Sequence, residues 1–106
     1  MTYRAPLSDF SRILRHVVGY NRVAATERFT DAGMETVEAV LGEAAKLCEE
    51  VIAPLQQVGD AHPARLENGV VRTAPGFAEG YKAIAEGGWI GSSAAPEYGG
   101  MGLPMA

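Results

Sequence analysis

Met34-Glu35-Thr36-Val37-Glu38-Ala39-Val40-Leu41-Gly42-Glu43-Ala44-Ala45-Lys46-Leu47-Cys48-Glu49-Glu50-Val51-Ile52-Ala53-Pro54-Leu55 is the stretch on which the fold turns. Its apolar members Met34, Val37, Val40, Leu41, Ala44, Leu47, Cys48, Val51, Ile52 and Leu55 recur every three or four residues, which draws one continuous stripe along a helix. Glu35, Glu38, Glu43, Lys46, Glu49 and Glu50 face away from that stripe. Asp31 is placed to cap the start, and the early glutamates suit the positive end of the helix dipole. Pro54 removes one backbone hydrogen bond, so a kink or loosening is expected near Glu50.

Outward from this helix the elements are shorter. Leu7, Phe10, Ile13, Leu14, Val17 and Val18 share a helical face, with Arg12, Arg15 and His16 mostly opposite. Pro6 is tolerated in a first turn and Gly19 is a natural stop, giving an amphipathic helix over about residues 6–18. Residues 20–33 carry no sustained period and read as a loop or a poorly packed turn. Residues 59–76 read as a connector. Within it, Asn68-Gly69 between Leu66 and Val70-Val71 is a two-residue turn signal that allows a small hairpin, although a lone hairpin is only marginally stable. Phe77, Tyr81 and Ile84 have helical spacing up to a Gly87-Gly88 stop, and the tail from Trp89 to Ala106 is a glycine-rich loop. The fold class read from this is all-α, with three helices, the small hairpin and the closing loop.

The chain has 106 residues, 47% hydrophobic and 21% charged, with a net charge of −4. That composition belongs to a folded globular protein, and the length to one modest core. Residues 1–30 hold five arginines against two acidic residues, a net of +3, whereas residues 31–106 hold four basic and eleven acidic side chains, a net of −7. An acidic whole argues against non-specific nucleic-acid binding, which needs many phosphate-neutralising cations. Cys48 stands alone, so no internal disulfide can form, which fits a reducing cytoplasm. No apolar run reaches the roughly 18–20 residues that span a bilayer. The Arg-rich start has the look of a mitochondrial transit peptide, but a folded first helix explains the same pattern.

The motifs point away from self-contained catalysis. His16, Cys48 and His62 lack zinc-ligand spacing. Ser92 and Ser93 lie in no nucleophile elbow. Glu49 and Glu50 are adjacent, so they leave a helix in different directions and form no acid/base pair. Glu38 and Glu49, eleven residues apart, return to a similar face and read as a solvated row. Gly100-x-Gly102 opens a dinucleotide fingerprint that Met105 does not complete. Trp89, Tyr98 and Met101 beside the glycines allow two readings: a loop packed over the helices with Trp89 as anchor, or a loop shaped to meet a ligand or another domain.

The order of Cys48-Glu49-Glu50-Val51-Ile52-Ala53-Pro54-Leu55, then Gly87-Gly88-Trp89-Ile90-Gly91, then Pro96-Glu97-Tyr98-Gly99-Gly100-Met101-Gly102-Leu103 resembles the amino-terminal helical domain of the FAD-dependent acyl-CoA dehydrogenases. Tyr3-Arg4-Ala5-Pro6-Leu7 through Val18-Gly19-Tyr20, and Leu66-Glu67-Asn68-Gly69-Val70-Val71 before Pro75-Gly76-Phe77, look like the longer subgroup that includes the 3-methylmercaptopropionyl-CoA dehydrogenases. The resemblance implies that residues 1–106 are part of that α-domain. Residues 1–20 would be the subgroup's extension and 31–106 a portion of the family core, with the β-domain and the carboxyl-terminal α-domain lying outside.

The resemblance also implies that the catalytic glutamate and the main FAD contacts belong to those other domains. No catalytic, cofactor-binding or metal residue is then assigned here, and FAD is expected in the full-length enzyme but not on this chain alone. Tyr98, Gly99, Gly100, Met101, Gly102 and Leu103 become the candidate substrate-side loop. The implied partners are the remaining domains of the enzyme and, for the full-length enzyme only, acyl-CoA and an electron-transfer partner. The implied setting is the cytoplasm, a bacterial-type cytosol before a mitochondrion. With only two short helices and a loop to cover a ten-residue stripe, leftover apolar surface and homo-oligomerisation through it are expected. A stand-alone helical interaction module is the alternative reading, and membrane-surface association through the basic helix ranks last.

Overall fold

The computed structural model describes Thr2–Ala106. Helix α1 (Leu7–Arg12) runs on without a break into a wide, π-type segment at Ile13–Val18, close to the span the apolar spacing predicts. Gly19 ends it in the left-handed region (φ 68°), a conformation open to glycine at little cost.

A helix follows where a loop was expected. Helix α2 (Tyr20–Ala24) and a single 3₁₀ turn (Glu27–Phe29) occupy the stretch read as loop. Five residues are too few to display a helical period, and long-range packing decides the matter. Tyr20 is 1% exposed, the most deeply buried large side chain, and its hydroxyl donates to the Ala32 carbonyl at 2.5 Å. Ala32 and Met34 are buried nearby in sequence.

The long helix comprises α3 (Met34–Leu47), a π-type segment (Cys48–Ile52) and α4 (Ala53–Ala61). The expected disturbance near Glu50 is this π segment. Pro54 has no N–H to offer the turn before it and its ring crowds that carbonyl, so the helix widens there instead of breaking. Two expectations are corrected. Asp31 does not cap α3: Gly33 holds that position with no side-chain cap, and its carbonyl accepts from the Val37 amide at 3.0 Å. The helix also continues past Leu55 through Gly59-Asp60, assigned above to a connector. It stops at His62 (φ −132°), the residue that Pro63 excludes from helical geometry.

The hairpin forms. Strands β1 (Arg65–Glu67) and β2 (Val70–Arg72) pair antiparallel, with Leu66 opposite Val71. Asn68 (φ 51°) and Gly69 (φ 77°) supply the two positive-φ positions its tight turn requires. All six strand residues are exposed.

Helix α5 (Phe77–Glu86) lies against the second half of the long helix. The approach is close because the contact is made at glycines. A Cβ on Gly80 would sit 2.6 Å from Leu55 Cδ1, and one on Gly59 2.8 Å from Phe77 Cζ. The whole is a thin slab, 54 × 36 × 18 Å, with a Cα radius of gyration of 17.2 Å. A compact domain of this length has about 13 Å. The buried apolar core is small: Tyr20, Ala32, Met34, Ala45 and Ala74.

Candidate functional site

The closing loop starts where α5 stops. Gly88 takes φ 78°, turning the chain so that Trp89 lies back beside Gly87, whose Cβ would meet the indole Nε1 at 2.6 Å. A turn at 89–92 and a 3₁₀ turn at Pro96–Tyr98 carry the chain outward, and Gly99 (φ 84°) reverses it. The returning chain then closes onto the outgoing turns. Gly100 N–H donates to Ala95 O at 3.1 Å, Met101 to Gly91 O at 3.3 Å, Gly102 to Ala94 O at 2.9 Å and Leu103 to Ser92 O at 3.0 Å. At Gly100 the approach leaves no room for a side chain, since a Cβ there would fall on the Ala94 carbonyl.

The six residues of the candidate loop therefore divide by role. Gly99, Gly100 and Gly102 make the reversal and the close return. Tyr98, 82% exposed, and Met101, 44% exposed, offer their side chains to solvent. Leu103 turns back toward the helices and helps line an apolar cavity of about 240 Å³ with Leu14, Tyr20, Val37, Val40, Leu41 and Trp89. Trp89 and Met101 also border a more open groove along the long helix, with Val40, Leu47 and Val51 as its floor and Glu43 and Glu50 at its edge. Trp89 is half-buried between the two spaces, the anchoring role expected of it.

The loop's amides bear on its chemistry. The N–H groups of Gly99 through Leu103 all donate to carbonyls of residues 91–96. A phosphate cradle needs such amides free and convergent. The Gly100-x-Gly102 pair is thus a folding device, and these loop amides do not fit the pyrophosphate of a flavin dinucleotide.

The glutamate row behaves differently from the solvated face expected of it. Glu49 Oε1 accepts the Ala5 backbone N–H at 2.8 Å, and its Oε2 pairs with Arg4 at 3.4 Å. Glu38 Oε1 accepts from Arg15 Nη2 at 2.8 Å and from the Ser11 hydroxyl at 2.9 Å. The hydrogen bonds from Arg15 and Ser11 hold the Glu38 carboxyl below the usual glutamate range. The eleven-residue spacing was visible in the sequence, but its partners lie 23 to 45 residues away. Glu50 stays exposed, and it shares no acid/base geometry with Glu49. Among the described residues no group of three or more His, Cys, Asp or Glu side chains is disposed to hold a metal ion.

Sequence comparison finds the chain similar to an acyl-CoA dehydrogenase. Over 104 residues it is 38% identical to 3-methylmercaptopropionyl-CoA dehydrogenase of Ruegeria pomeroyi, a match that takes in 98% of this chain. The chain spans 18% of that relative's length. No protein-family model matches it. Among the described residues no helix is long and apolar enough to cross a membrane.

Proposed function

We propose that the chain is a scaffold and substrate-side wall for an FAD-dependent acyl-CoA dehydrogenase, contributing position and no reacting group. In such an enzyme a base takes the α-proton of an acyl-CoA thioester while the β-hydrogen leaves as hydride to flavin. Base, thioester and flavin must be held together for this, and much of the rate comes from that alignment. The observation that carries the reading is the closing loop. It is locked by its own backbone, exposes Tyr98 and Met101, and borders an open apolar groove. A backbone-locked edge of this kind can bound an apolar substrate, and it offers no phosphate cradle of its own.

In this reading residues 1–20 are an extension and residues 31–106 a portion of the family core. Flavin and catalytic base come from a β-domain and a carboxyl-terminal α-domain. The partners are those domains, an electron acceptor and a second copy of the enzyme, in a cytosolic setting. The exposed area supports partners of some kind. The chain exposes 7909 Å², against about 5,700 Å² for a compact monomer of its mass. The same excess would suit a stand-alone interaction module.

Grafting separates the two readings. The chain replaces the matching segment of the Ruegeria pomeroyi relative, and acyl-CoA oxidation is measured. Activity retained in the chimaera, and reduced by Tyr98→Ala with Met101→Ala, is expected. A folded, flavin-loaded chimaera without activity, or one indifferent to both changes, refutes the wall. The purified chain alone is expected to carry no flavin absorbance, and a stoichiometric flavin band would overturn its scaffold role.

A further inference from the structure

The amino-terminal segment is attached to the body in an unusual way. No residue of α1 or of the π segment after it is buried. Phe10 is 46% exposed, Ile13 49% and Val17 78%, so much of the apolar stripe of this amphipathic stretch points outward. On its other side half-buried Leu14 faces the long helix, alongside polar hydrogen bonds and ion pairs. Ser11 and Arg15 meet Glu38, and Ala5 with Arg4 meets Glu49.

The register is regular. Ascending residues 5 to 15 lie against descending residues 49 to 38, so the segment runs antiparallel to the long helix. The eleven-residue step between the two glutamates is three helical turns, about 16 Å. The two carboxylates thus stand on one face at two stations along the segment. At the far end of the segment Gly19 takes its left-handed bend, and Tyr20, buried and hydrogen-bonded to Ala32, is fixed in the body. A pivot beside an anchor, and two ionic catches beyond it, are the parts of a hinged cover. Leu14 forms one wall of the half-open apolar cleft of about 240 Å³, so the segment bounds that cleft on one side.

We infer that residues 2–18 are a hinged strap, pivoting at Gly19 and latched to the long helix by Glu38 and Glu49, whose release widens the half-open apolar cleft beside Leu14 while the rest of the fold stays in place. The energetics favour reversibility. Half-exposed ion pairs contribute little each and are screened by salt, whereas a deep apolar seat would be neither weak nor salt-sensitive. Regions with few buried contacts open locally, below the cost of global unfolding. Glu38 is answered by Arg15 and Ser11, with Glu35 one turn away on its own helix. Glu49 is answered by Arg4 and the Ala5 amide, with Lys46 and Glu50 as its helix neighbours.

Amide hydrogen exchange on the whole chain, at fixed pH, tests this. Raising NaCl from about 0.01 M to about 1 M cuts the screening length from about 30 Å to about 3 Å. Exchange in residues 7–18 is expected to quicken about tenfold while residues 34–47 and 77–86 keep their protection. Glu38→Arg should release the strap at low salt, and adding Arg15→Glu should restore protection. Exchange in 7–18 that ignores salt, or that quickens in step with 34–47, overturns the strap. Should Glu38→Arg fail to fold, the salt series on the unaltered chain still decides.

Discussion

Tyr20 joins two distant pieces of backbone through one hydroxyl. Its ring is enclosed, and its O–H satisfies the Ala32 carbonyl just ahead of the long helix. Tyr20→Phe keeps the ring and orphans that carbonyl, at an expected cost of about 1–2 kcal/mol in a urea melt. Burial also raises the hydroxyl's pKa above the usual tyrosine value of 10.0. The folded state therefore keeps this proton to higher pH than the unfolded chain does. Its contribution is whole below pH 10.0 and is lost as pH rises through the folded value, so alkaline melts should show a loss that Tyr20→Phe abolishes. Nothing local announces this role. Tyr20 sits between Gly19 and a polar run, and its burial comes from chain twelve residues away and beyond. Gly100 was more legible, because a glycine cluster signals a close return, although the Ala94 carbonyl as its neighbour could be known only from the fold.

Between elements, the α5 contact with the long helix rests on glycine. Gly80 is buried with Leu55 against it, and Gly76 bends at φ 85° beside the same leucine. Gly80→Val should force the helices apart at a cost of about 1–3 kcal/mol, read as a lowered denaturation midpoint with an unchanged slope. A midpoint that does not move would show that Leu55 swings clear. Elements of this length were largely readable. The stripe from Met34 to Leu55, the hairpin turn at Asn68-Gly69 and the Gly87-Gly88 stop each rest on a local rule, and each is present. Two of the misreadings have plain physical sources. Short α2 has no period to detect, and the glutamate row of the long helix takes its meaning from residues 4–15, far away in sequence. The exposed side of a helix looks the same on paper whether water or arginine faces it.

At the scale of the molecule, surface dominates. A slab 18 Å thick with over a third more exposed area than a compact chain of its mass keeps much apolar material in water, Val51, Tyr81 and Ile90 among it. The free chain is expected to self-associate, with light scattering giving a mass that rises with concentration and a Tm that rises with it. A constant monomer mass at high concentration would refute this. The hairpin adds a different consequence. A two-stranded ribbon has an unmatched row of amides and carbonyls along each side, the raw material of stacking without limit. Here the safeguard is brevity: three residues per strand, with Arg65 facing Arg72 at the open end, where like charges oppose one another. Lengthening the ribbon by a few apolar residues would remove that safeguard, so what constrains insertion at this site is the hazard of its borders rather than any packing beneath it.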